Sequence, residues 1–181
     1  MGRTDDDTAE ASAGLHLLDT HYREHPQTGP TGRRATNATP GTPLNIGIVD
    51  HITRCVAEVV DHARTEAPKP TGPLPDRVAD IYDWYLQHTA DAGPEARLRR
   101  DIIIKRQQME HAIALGDHKV VRTHWCPGCR TLGLKWNSHA RRAMCLNGRC
   151  LDRHGAGRSW TLARLATQYI LDQEIRARRA T

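Results

Sequence analysis

The sequence predicts an α+β chain: a helical N-terminal part forming a small helix bundle, then a compact four-cysteine unit of short strands, then a trailing helix. Three observations predict it. Apolar residues recur every three to four positions up to Gly116; the pattern then breaks into short pieces between Val120 and Trp160; and four of the five cysteines fall within residues 126–150. The expected organisation is an N-terminal helix and flexible linker (1–43), a helical domain (44–117), a cysteine-rich strand unit (118–160) and a C-terminal helix (161–181).

Thr8 to His25 carries Leu15, Leu18 and Tyr22 at helical spacing behind an acidic start that suits the positive end of a helix. Residues 26–43 hold four prolines and three glycines with almost nothing apolar, too little to offset the entropy of ordering, and read as a linker. From Leu44 onward, Ile48, Ile52, Val56, Val59 and Ala63 make one apolar face, with Cys55 on its inward side as a buried small hydrophobe, until Pro68. Asp50-His51 and Asp61-His62 share a face of that helix and read as solvated surface.

A proline-rich hinge over 68–75 leads to Asp76, the candidate N-cap of a helix through Val78, Ile81 and Tyr85. Ala92-Gly93-Pro94 breaks that helix and opens the next one, which turns Leu98, Ile102, Met109 and Ile113 inward and stops at Gly116. Val120-Val121, Leu132 to Trp136, Met144 and Trp160 read as strands. Leu162, Leu165, Tyr169 and Ile170 restore the helical period, and Arg176, Arg178 and Arg179 complement the negative end of that helix.

Composition narrows the function classes. Of 181 residues 26% are charged and 4% aromatic, with no Phe, and no apolar run approaches the ~20 residues needed to cross a bilayer. The opening MGRTDDDTAE lacks the basic start and apolar stretch of a secretory signal, so a cytoplasmic, reducing location is expected, where clustered cysteines favour metal over disulfides. Residues 1–118 hold 13 Lys/Arg against 18 Asp/Glu, whereas residues 119–181 hold 13 Lys/Arg against Asp152, Asp172 and Glu174. Arginine outnumbers lysine 22 to 4, which a GC-rich coding sequence would produce by itself; the uneven division of charge is the informative part, and it marks the basic end as the contact surface.

Cys126-Pro-Gly-Cys129 and Cys145-Leu-Asn-Gly-Arg-Cys150 are separated by fifteen residues, enough for two antiparallel strands to bring the second turn back to the first. Four thiolates then complete a tetrahedral shell, and a structural Zn2+ is expected in preference to a rubredoxin-like iron. With every position filled by sulfur no water can bind the ion, so Lewis-acid catalysis is not expected there. His124, His139 and His154 lie near enough in sequence to replace one cysteine, the weaker alternative.

Trp125-Cys126-Pro127-Gly128-Cys129 and Cys145-Leu146-Asn147-Gly148-Arg149-Cys150, followed by Asp152, Gly155, Gly157 and Trp160, resemble the zinc ribbons of small proteins common in high-GC actinobacteria and their phages. The resemblance covers about residues 119 to 165, and Pro43-Leu44-Asn45 opening a helix is similar to the upstream part of some of these proteins. It implies a fold and a metal, and it implies no activity.

Arg130, Lys135, Arg141, Arg142 and Arg149 stud the cysteine unit with Trp125, Trp136 and Trp160 among them, a mixture that can hold phosphates and stack on bases. Arg141-Arg142 is the preferred contact pair, and the tryptophans also suit a miniature core. No helix-turn-helix succession, H-E-x-x-H, nucleophile elbow or phosphate loop is present, so the chain is expected to be non-enzymatic. The expectation is a small regulator that binds nucleic acid, DNA in preference to RNA, through a basic zinc ribbon, with the helices serving oligomerisation or partner contact. The alternative is an adaptor whose ribbon docks on a protein such as a polymerase.

Overall fold

Helical periodicity carried this far in the sequence leaves one question, which faces meet, and the computed structural model answers it for residues 3–24, 46–66 and 72–179. Helix α1 runs Arg3–Glu24, α2 Ile46–Glu66, α3 Ile81–His88, α4 Pro94–Ala114 and α5 Leu162–Arg179. Strands β1 (Leu134–Asn137), β2 (Arg142–Cys145) and β3 (Ser159–Trp160) form one antiparallel sheet in that order, with Leu134 opposite Cys145 and Ala143 opposite Trp160. The expected linker over 26–43 and the first half of the hinge, 68–71, lie outside the described residues. Among those described, no helix is long and apolar enough to cross a membrane.

Helix α4 is the shared element. Pro94 stands in its first turn, where a missing amide hydrogen costs nothing, and Gly116, with φ of 90°, follows its end. Its N-terminal half delivers Ile103 and Ile104 to a core with Ala11 and Leu15 of α1, Val59, Val60 and Ala63 of α2, and Tyr82 and Tyr85 of α3. Its C-terminal half delivers Met109 to a second core with Val121, Leu134, Ala143, Leu162 and Leu165, into which Cys126, Cys145 and Cys150 also pack. Burying one such Leu or Met stabilises by about 1.5–3 kcal/mol, and Leu15, Met109 and Leu134 are wholly inaccessible. The cysteine unit is thus packed against the bundle through a common helix.

Helices α1 and α4 cross closely because Gly14 has no side chain. A Cβ there would stand 3.0 Å from Cβ of His111, a buried residue whose ring is bonded on both nitrogens and cannot give way. Alanine is the better helix former by ~1 kcal/mol, but overpacking a core typically costs about 1–3 kcal/mol. Gly14→Ala is therefore expected to lower stability by about 1 kcal/mol in urea denaturation; an unchanged or raised midpoint would show that the two helices separate freely.

Three expectations are corrected. Val120-Val121 is not strand but part of a 3-10 turn, His118–Thr123, because the Asp117 carboxylate accepts from the Lys119 amide at 2.9 Å and the Thr123 hydroxyl donates to the Val120 carbonyl, closing turns that buried Val121 and half-buried Val120 anchor in the core. Asp76 caps nothing: a 3-10 turn, Val78–Asp80, leads into α3, started by the Asp80 amide on the Arg77 carbonyl at 3.0 Å. His51 and His62 are not solvated surface, since each is only 9% exposed. They stand at positions 51, 55, 59 and 62 with Cys55 and Val59, on the stripe of α2 that faces α3 and α4, and the Tyr85 hydroxyl meets His62 Nδ1 at 2.7 Å.

Candidate metal centre and its basic face

Each cysteine pair lies on a tight turn. In the first, the Arg130 amide donates to the Cys126 carbonyl and the Cys126 amide to the Thr131 carbonyl, both at 2.9 Å, with Arg130 in the left-handed region at φ of 58°. Gly128 is required here: a Cβ would come within 3.0 Å of Trp160 Cζ2 and 3.1 Å of Arg158 Nη1, which close over the turn. In the second, the Cys150 amide donates to the Asn147 carbonyl at 2.8 Å, and the Asn147 side-chain oxygen accepts from the Arg149 amide at 3.0 Å. The β1–β2 hairpin returns Cys145 to the first turn.

The four sulfurs converge. Cys126 and Cys150 Sγ are 3.8 Å apart, Cys129 and Cys145 Sγ 3.6 Å, and no pair among the four exceeds 4.8 Å. Thiolates bound tetrahedrally at ~2.3 Å stand roughly 3.8 Å from one another, whereas bonded disulfide sulfurs are ~2.05 Å apart, so the spacing fits a metal ion and not a bridge. All four are free thiols. These residues can hold a metal ion.

The electrostatics divide these thiols. The Thr131 hydroxyl, 3.1 Å from Cys129 Sγ, and the Thr131 amide bring that thiol down to about 6. Burial pushes Cys145 up, against an opposing amide hydrogen bond from Asn147, and pushes Cys150 up to about 12. Because a metal takes the thiolate form, filling the site expels protons from the two raised thiols. None of the three alternative histidines joins the sulfurs: His124 is buried with Nδ1 on the Val120 carbonyl at 3.1 Å, His139 is exposed, and His154 accepts from Arg153 Nε at 2.9 Å.

The five candidate contact residues separate into two kinds. Arg130 is paired with Asp172 at 2.8 Å, and Arg142 braces β2 against β3 through the Ser159 hydroxyl at 2.8 Å and carbonyl at 3.0 Å. Lys135, Arg141 and Arg149 are exposed, and none has a carboxylate within 4.0 Å among the described residues. Arg141, at φ of 51° in the β1–β2 turn, lines a cleft of about 690 Å³ between the sheet, α2 and α4 to which Arg142 does not contribute. The pair Arg141-Arg142 is thus divided between two tasks. The tryptophans divide as well: Trp136 and Trp160 pack on the second core, while Trp125 remains 43% exposed and is not part of a miniature core.

Behind His51, which lines the cleft, lies a buried polar cluster that sequence reasoning passed over. The Gln107 amide nitrogen donates to the Cys55 carbonyl at 3.1 Å and to Glu58 at 2.8 Å, leaving its oxygen to accept from the Tyr82 hydroxyl at 2.7 Å. Having given its only proton, the Tyr82 oxygen accepts from His111 Nε2 at 2.7 Å, and His111 Nδ1 then accepts from His51 Nε2 at 2.9 Å. Burial holds His111 down to about 3 and lowers His51, so both rings are neutral. A signal existed: His51 and Cys55 are one helical turn apart, on the apolar stripe.

Compared with known protein families, curated proteins and solved structures, the chain matches none.

Proposed function

We propose that this chain is a small, non-enzymatic, zinc-dependent nucleic-acid-binding protein, acting on DNA in preference to RNA through the basic face of a zinc ribbon. Zn2+ held by Cys126, Cys129, Cys145 and Cys150 would supply folding energy of roughly 10 kcal/mol or more and no reactive position, since sulfur fills all four sites. The observation that carries the reading is the contrast in charge neutralisation. Of the five cations on α4, Arg99, Arg100, Lys105 and Arg106 are paired with carboxylates, and Arg97 alone has none within 4.0 Å among the described residues. On the cysteine unit Lys135, Arg141, Arg149 and Arg153 have none within 4.0 Å among the described residues. A cation kept unpaired on a folded surface is available to a polyanion, and phosphate contacts release counterions.

Fluorescence anisotropy on mixed duplex and single-stranded pools tests this. Affinity is expected to fall with salt by a log–log slope of about −0.9 per phosphate contacted, and Lys135→Ala and Arg149→Ala each to reduce that slope by about 1. No binding to any pool at low salt overturns the reading.

A second reading has its own observation. Leu132, Leu146 and Leu151 around the two cysteine turns are 56%, 65% and 44% exposed, and the Leu146 amide bonds the Gly133 carbonyl next to Leu132. Three exposed leucines beside one site suit an adaptor docking on a protein. Leu146→Asp would abolish such docking and leave the salt slope on DNA unchanged.

A further inference from the structure

We infer that His51, Cys55 and His111 form a second metal site, separate from the four cysteines, that takes a borderline divalent cation of the zinc class behind the cleft wall at His51. Three donors from two helices meet there: His51 and Cys55 from successive turns of α2 and His111 from α4, no two donor atoms more than 4.8 Å apart. His51 Nε2 and His111 Nδ1 are 2.9 Å apart, and Cys55 Sγ is 3.8 Å from His51 Nε2. A cation with nitrogen at ~2.0–2.1 Å and sulfur at ~2.3 Å has tetrahedral edges of about 3.3 and 3.5 Å, so the His51–His111 and His51–Cys55 edges need shifts of a few tenths of an ångström, and the Cys55–His111 edge, at most 4.8 Å, a closure of no more than about 1.3 Å.

The support behind the donors is that of a ligand and not of a filler. A metal-binding histidine is ordinarily held by a hydrogen bond from its other ring nitrogen. His111 has that bond, to Tyr82, and Tyr82 is held in turn by Gln107, whose amide is pinned by Cys55 and Glu58. The lone pair of His111 Nδ1 is thereby aimed at His51 and Cys55. Gly14 packs against the back of His111 and prevents the ring from withdrawing. Placing a cysteine, two histidines, a tyrosine and a glutamine together in a core is expensive compared with apolar side chains of the same volume.

Access and the remaining coordination position lie on the cleft side, where His51 is part of the wall with Asp50, Arg54 and Glu110. Without a metal, His51 Nδ1 accepts from Arg54 at 3.2 Å. When Nε2 binds a cation, Nδ1 carries the proton and becomes a donor, so Arg54 must give way to an acceptor; the carboxylates of Asp50 and Glu110 border the same cleft. Arg54 thus opposes loading, and Arg54→Ala should tighten the site.

The test is metal stoichiometry on the full chain, by elemental analysis after saturation with Zn2+ and removal of free ion, with Co2+ absorption as the second readout. The wild type should hold two equivalents, Cys55→Ser and Cys150→Ala one each, and Cys55→Ser should lose the cobalt–thiolate band contributed by the second ion alone. Tyr82→Phe, which keeps the ring in the core, should weaken the second equivalent by about 10–100-fold and leave the first unchanged. One equivalent in the wild type overturns the inference, as does a second equivalent that survives both Cys55→Ser and His111→Gln. Far-UV circular dichroism confirms that the Cys55, Tyr82 and His111 variants retain their helices.

Discussion

Cys150→Ala is expected to release the metal at the four-cysteine centre and to unfold the chain beyond Thr123. Three of the four cysteines, Cys126, Cys145 and Cys150, are buried in the core that also contains Leu134, Ala143, Leu162 and Leu165. The sheet there is small, with strands of four, four and two residues. Such a sheet does not stand without a further source of stability, and a structural zinc supplies roughly 10 kcal/mol or more. Removing one ligand of four forfeits most of that and leaves a cavity where sulfur packed. Native mass spectrometry should show one metal fewer, and the fluorescence of Trp136 and Trp160, which pack on this core, should move toward that of exposed tryptophan. The α1–α3 core, with Tyr82 and Tyr85 wholly inaccessible, should persist as a helical signal in circular dichroism. Chelator treatment of the wild type should give the same spectrum. A metal-free protein with its native tryptophan spectrum and melting temperature would refute the role given to the ion.

Asp7→Ala is the second large effect, about 3–5 kcal/mol of destabilisation, the usual result of leaving a buried charge without its partner. Lys105 is 5% exposed in the middle of α4, its Nζ 2.9 Å from Asp7 and 4.2 Å from the centre of the Tyr169 ring. The pair fastens α1 to α4 while the cation also rests on α5. The double replacement Asp7→Leu with Lys105→Met should recover most of the loss, because apolar side chains need no desolvation. Urea denaturation of the two single variants and the double variant closes the cycle. If Asp7→Ala changes the midpoint by less than a few tenths of a kcal/mol equivalent, Lys105 is neutralised by something other than Asp7.

Most of the elements were legible because their signals are local. Pro94 and Gly116 bracket α4, apolar spacing marks α2 and α5, and the two cysteine turns with fifteen residues between them imply a hairpin. What failed was local reading of residues whose state is set by neighbours from elsewhere. Valine favours strands, but Val120 and Val121 follow an aspartate that caps a 3-10 turn, and tertiary packing of Val121 overrides propensity. Histidine and aspartate side by side look like solvent-facing helix, but His51 and His62 are buried and bond to His111 and Tyr85, which arrive from α4 and α3.

By itself the sequence determined where the five main helices lie, though not all of their bounds, that four sulfurs would be presented on two turns, and that positive charge would collect after residue 118. Periodicity, turn chemistry and charge are properties of neighbouring positions along the chain. Only the tertiary structure decided which cations are occupied, since Arg130 and Arg142 are while Lys135 and Arg149 have no carboxylate within 4.0 Å among the described residues, and which buried polar groups meet, since His111 reaches His51 across 60 positions and Lys105 reaches Asp7 across 98. A charge or a lone pair is neutralised by whatever lies within a few ångströms, and that neighbour is chosen by the packing of helices, not by order in the chain.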